Sequence, residues 1–247
     1  MKIPAIPQPS PEPDSPHMPV WTPSQFKAAK RGAYAGHPLE TSSLGETIAN
    51  SVSNGVAAAL SIAGLVVLVV LSVLHGGGVR VLVALAFAVP MLLAFLMSTL
   101  YHALPSDVAK RIFRVLGHDF VFLYIAGAFT PYCVLLLADA SGLALCSVEW
   151  VLAFAGILIE SAWLSRPRWV ALALCIAMVL AGATFAPAFA VALAPAGWWL
   201  LVAAFCCFCL GIVFYLLRKV PYLWFVSHLV VMAGSVCLFL SVALFVI

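Results

Sequence analysis

The sequence predicts an all-α, polytopic membrane protein, a seven-transmembrane helix bundle with its N-terminus in the cytoplasm and its C-terminus outside. Three observations predict it. Of 247 residues, 65% are apolar and only 9% charged, with a mean hydropathy of +1.15. That leaves too little polar surface to cover a soluble globule of this length. An α-helix needs about 20 mostly apolar residues to cross roughly 30 Å of hydrocarbon, and several runs here reach that length without a charge. They do not alternate apolar and polar residues over about 10 positions, as barrel strands would. Finally, the basic residues gather on alternate loops, the pattern of the positive-inside rule.

Residues 1–43 are polar and rich in Pro and Ser, which predicts a disordered cytoplasmic tail. No apolar h-region follows the first lysine, so the start does not read as a signal peptide. Residues 44–247 form the transmembrane domain. Its seven predicted spans are residues 48–74, 81–101, 118–138, 148–164, 169–189, 197–217 and 223–247. Short breakers such as HGGGVR, ADASG and SRPR separate them, and Pro187 and Pro195 blur the exit of the fifth. No internal repeat is visible.

Lys110, Arg111 and Arg114 follow the second span, Arg166 and Arg168 the fourth, and Arg218 and Lys219 the sixth. Lys27, Lys30 and Arg31 add to the same side, whereas the opposite loops carry only Arg80. This bias sets the orientation and accounts for the net charge of +3 without a nucleic-acid partner. The expected partners are membrane lipids, and the expected location is the bacterial plasma (inner) membrane.

The second span ends in MSTLYH, which places Ser98 and His102 four residues apart, on one helix face. With the predicted orientation they lie at the cytoplasmic end, at a depth similar to His118, Asp119 and His228. Each ionisable group at the bilayer centre costs about 2.5–3.5 kcal/mol on insertion scales, so such groups face the bundle interior and have partners. A plainer reading puts His102 and His118 in the headgroup region, capping helices beside the basic loop. His228, flanked by VS and LVV, lies deeper. Glu160 is expected to reach toward Arg166 or the cytoplasmic surface.

Cys206–Cys209 contain a C-x-x-C spacing, but in mid-membrane, where it reads as helix packing. The seven cysteines lie in or beside the spans and do not form the pattern of a disulfide framework. Trp150, Trp169, Trp198 and Trp199 lie near predicted helix ends and read as interfacial anchors.

The stretches GETIANSVSNG, MSTLYHAL, AKRIFRVLGHDFVFLYIAGAFTPY, GIVFYLLRKVPY and SHLVVMAGSVCLF, in that order, resemble the hemolysin III proteins of bacteria. That family belongs to the progestin and adipoQ receptor group, with the adiponectin receptors, and is related to the alkaline ceramidases. The resemblance implies seven helices and a zinc ion near the cytoplasmic side. The metal motif it implies is Ser-x3-His on the second span, Asp at the start of the third and His-x3-His on the seventh. Ser98, His102 and His228 match. Trp224 replaces the first histidine of the seventh span, Gly117 stands at the aspartate position, and two further family histidines appear as Asn54 and Leu238.

A catalytic zinc takes three protein ligands and an open position for water, whose pKa it lowers to about 7. His102 and His228 supply two ligands, and Asp119 is the third candidate. It stands about 200° around an ideal helix from the family position, and His118, an alternative, about 100°. Either points inward only if the third span begins irregularly or is rotated. On this reading Asp119 is ligand or base and Ser98 orients the metal water, so Ser98 and Asp119 carry catalysis, and the protein is a zinc-dependent hydrolase of a lipid amide or ester. The competing readings are a non-catalytic receptor or regulator of membrane homeostasis and a pore-forming cytolysin. Against a pore, the spans hold too few polar residues to line a wet path. Against a retinal protein, the seventh span has no lysine.

Overall fold

The structure, a computed structural model, describes residues 43–162, 169–217 and 220–247. The predicted tail lies outside the described residues but for Ser43, as do Arg166, Arg168, Arg218 and Lys219. The chain forms helices α1 (Leu44–His75), α2 (Gly78–Ala103), α3 (Asp107–Pro131), α4 (Ala140–Ala162), α5 (Trp169–Ala183), α6 (Ala186–Ala192), α7 (Pro195–Leu216) and α8 (Leu223–Phe245), with a π turn, Tyr132–Leu137, continuing α3. Among the described residues, six helices are long and apolar enough to cross a membrane, α3 counted with its π turn. The bent pair α5–α6 makes a seventh span if taken as one, with a 49° break. The break falls at Thr184–Phe185, just before Pro187 enters the first turn of α6, where its missing N–H costs nothing.

The helices are inside out by the standard of a soluble protein. On α1 the buried residues include Glu46, Asn50, Asn54, Ser61 and Ser72. Val52, Leu60, Val66 and Val70 point outward, Val52 with 61% of its surface exposed. Only a hydrocarbon surround makes that arrangement favourable.

Two helix starts differ most from the predicted ones, for the same reason. α3 begins at Asp107, eleven residues ahead of the predicted His118, because Ser106 Oγ accepts the Ala109 N–H and opens a helix that projects beyond the apolar run. Lys110, Arg111 and Arg114 therefore ride on its first turns rather than in a loop. α4 begins at Ala140 rather than Val148. Asp139 Oδ1 accepts the Gly142 N–H at 2.7 Å and the Ser141 hydroxyl at 2.8 Å, so ADASG is a helix start as well as a break.

α2 packs between α1 and α3, α7 packs on α8, and α8 returns to α1. α2 and α3 touch closely at Gly127, where a Cβ would stand 2.2 Å from the Ala86 carbonyl oxygen. Such contacts need the smallest residue. The larger core joins Phe87, Met91, Tyr124, Tyr132 and Phe189, and a smaller one joins Phe122, Ala126, Ala153 and Met178. Two hydroxyl pairs tie α3 and its π turn to α8, Tyr124 to Ser235 at 3.0 Å and Tyr132 to Ser241 at 2.9 Å.

Candidate functional site

The end of α2 and the start of α8 meet. His102, 4% exposed, closes the last turn of α2. α8 starts after Tyr222, whose φ of 61° lies in the left-handed region. The Ser227 hydroxyl donates to the Trp224 carbonyl, within the turn that carries Trp224 and His228. The rings of His102 and His228 stand 5.5 Å apart, edge to face.

Trp224 lies against both imidazoles, 4.8 Å from His102 and 6.2 Å, stacked, from His228. Tyr101 joins the cluster, 4.9 Å from His102 and 6.1 Å from Trp224. The N-terminal part of α1 borders the same end. A Cβ at Gly45 would meet the Tyr222 hydroxyl at 3.1 Å, and one at Gly55 would meet Thr99 at 3.7 Å. His228 Nε2 is buried with no hydrogen-bond partner among the described residues, and so are both amide atoms of Asn50. A buried polar atom without a partner is rare and calls for an explanation.

The other residues singled out in the sequence fall elsewhere. Ser98 is half-buried one turn before His102. His118 Nδ1 lies 3.2 Å from Glu160 Oε1 on α4, so Glu160 pairs with His118; the expected reach toward Arg166 involves a residue outside the described ones. Gly117 packs beside Met97 of α2, where a Cβ would sit 3.9 Å away. The position assigned to the family aspartate thus faces α2. α3 is continuous from Asp107, which sets Asp119 about 200° around the helix from Gly117, with its Oδ1 buried. Asn54 donates its amide to the Asn50 carbonyl at 2.8 Å, and Leu238 lies in the core. Among the described residues no three His, Cys, Asp or Glu side chains group closely enough to hold a metal ion. The donor set at the meeting point is two imidazoles, one short of a catalytic zinc, and it does not fit that ion.

All seven cysteines are free, and Cys206 and Cys209 point out of the bundle. Trp169 and Trp199 are exposed. Trp150 is not at a helix end, because α4 starts earlier than predicted, and its indole N–H donates to Thr130 Oγ1 at 3.1 Å.

Two buried polar residues do not stand out in the sequence as site candidates. Asn50 belongs to the i, i+4 series Glu46, Asn50, Asn54 inside GETIANSVSNG, a polar stripe readable as an inward face. Glu149 is fully buried, and neither carboxylate oxygen has a hydrogen-bond partner among the described residues. Its signal was a lone acid within an apolar run, hidden by starting α4 at Val148.

A family profile described as "Haemolysin-III related" matches residues 43–239. "Hemolysin-3" of Bacillus cereus is 31% identical over 204 residues, 82% of this chain and 92% of the relative. "Hemolysin-3 homolog" of Bacillus subtilis (strain 168) is 30% identical over 201 residues, 80% of this chain and 92% of the relative.

Proposed function

The chain belongs to the haemolysin III-related family and is a multi-pass membrane protein, and from that premise we propose that it is a non-catalytic regulator of its membrane. Its ligands are membrane lipids, met at the end of the bundle where α1, α2 and α8 converge. The distribution of Lys and Arg supports that end as the cytoplasmic one, and the reading takes the membrane to be a bacterial inner membrane. One observation carries the reading. Trp224 lies against both His102 and His228, where a hydrolytic metal would need a further donor. An indole supplies no lone pair for a metal. The packed core of Phe87, Met91, Tyr124 and Phe189 supports a closed bundle over a pore.

A second reading, a zinc ion on the imidazole pair and hydrolysis of a lipid amide or ester, is favoured by the buried, partnerless Nε2 of His228. The two separate in liposomes that contain ceramide and phospholipid, with zinc supplied. The regulator releases no fatty acid above protein-free liposomes. Release that disappears in both His102→Ala and His228→Ala would replace it with the hydrolase.

A further inference from the structure

We infer that Glu149 is an intramembrane proton-binding site, a carboxyl group held as the neutral acid in the half of the bundle away from the imidazole pair. Its place follows from the topology. Glu149 packs where α4 runs against the end of α3 and the π turn, within electrostatic range of the Cys133 and Cys146 thiols. Cys133 lies 14 residues beyond Asp119 on α3 and its π turn, about 21 Å at the rise of a helix.

The side chain is 0% exposed, and neither oxygen has a hydrogen-bond partner among the described residues. The nearby hydroxyl is already committed. Thr130 Oγ1 donates to the Ala126 carbonyl at 2.9 Å and accepts from Trp150 Nε1 at 3.1 Å. Cys146 Sγ stands 4.0 Å from that same oxygen. From the π turn the titratable neighbour is Cys133, and from α4 itself Cys146. On α5 the titratable side chain is Cys175, which packs in the Phe122–Met178 cluster. No lysine, arginine or histidine among the described residues forms an ion pair with Glu149, and no metal-holding group includes it.

An ionised carboxylate without donor or cation is among the costliest groups an apolar interior can hold, and it relieves that cost by taking a proton. The acid then carries an O–H that can donate to a backbone carbonyl of the opposing segment. π turns inside helices recur at functional positions, and this one, Tyr132–Leu137, begins one residue before Cys133.

A hydrophobic carbodiimide reads out this state, because it enters the bilayer and reacts with the protonated form. The acid proton passes to a carbodiimide nitrogen and the carboxylate oxygen bonds to the central carbon. The O-acylisourea formed rearranges to a stable N-acylurea, so the two molecules add with no leaving group. Dicyclohexylcarbodiimide applied to the full-length protein in liposomes at neutral pH, followed by peptide mass spectrometry, is expected to add one equivalent at Glu149. The addition should be missing in Glu149→Gln, whose amide resembles the neutral acid and should leave the melting temperature at the wild-type value. The deciding readout, independent of reagent access, is the infrared difference between wild type and Glu149→Gln. The carbonyl stretch of a protonated carboxylic acid at Glu149 is the expected result. An ionised carboxylate band in its place, or a large loss of stability in Glu149→Gln, overturns the assignment.

Discussion

The imidazole end and the Glu149 region differ in what they leave unanswered. At the first, two titratable rings from distant parts of the chain face each other beside Trp224 and Tyr101, and a buried nitrogen of His228 lacks a partner among the described residues. At the second, one carboxyl group stands alone among thiols, a committed hydroxyl and apolar side chains. Two lone-pair donors facing each other can share a ligand. A single acid enclosed without a cation is left with a proton. The same orphaned state therefore has opposite chemistry at the two depths, decided by the number and sign of the neighbours.

α3 joins the two regions, so the change expected to have the largest effect breaks both at once. Gly127→Val puts a branched side chain where a Cβ already falls 2.2 Å from the Ala86 carbonyl oxygen. Forcing α2 and α3 apart should cost at least about 1–3 kcal/mol, seen as a lower melting temperature in detergent. An unchanged melting temperature would mean that the helix contact is looser than described.

Next, Trp224→His sharpens the contrast by giving the imidazole end a third nitrogen donor, and zinc affinity should rise at least tenfold by competition with a chelator. The same substitution should leave carbodiimide labelling at Glu149 as it is, since the two regions do not share a residue. Loss of that labelling would tie them together.

The smallest effect lies at the start of α4. Asp139 is exposed, and its hydrogen bonds from the Gly142 N–H and then the Ser141 hydroxyl hold its carboxyl below the usual carboxylate range. A folded-state value below the unfolded one stabilises the protein above the ordinary aspartate range, and that contribution is lost as the pH falls through the depressed value. Asp139→Ala should therefore melt slightly lower than wild type at neutral pH, and the gap should close in acid. A gap that persists in acid would show that the side chain acts other than as an ionised cap.

Hydropathy made the helices legible because a bilayer demands long apolar runs, and it does so regardless of packing. Helix ends were less legible, since Ser106 and Asp139 begin α3 and α4 outside the apolar runs through local hydrogen bonds. That boundary error hid Glu149 and turned Trp150 into a supposed anchor. Ser98 and His102 were readable from their i, i+4 spacing, and His228 from its apolar flanks. That the two imidazoles lie 5.5 Å apart depends on how α2 and α8 pack, which periodicity within either helix cannot specify. The pairing of His118 with Glu160 depends in the same way on the contact between α3 and α4.

Metal content bears most directly on the central claim, that Trp224 leaves the imidazole pair one donor short of a hydrolytic zinc. Wild-type protein and Trp224→His, each grown with ample zinc and purified without added metal, would be analysed by mass spectrometry for zinc per chain. The account predicts well under one zinc per wild-type chain and close to one per Trp224→His chain. One zinc per wild-type chain, lost in both His102→Ala and His228→Ala, would contradict it.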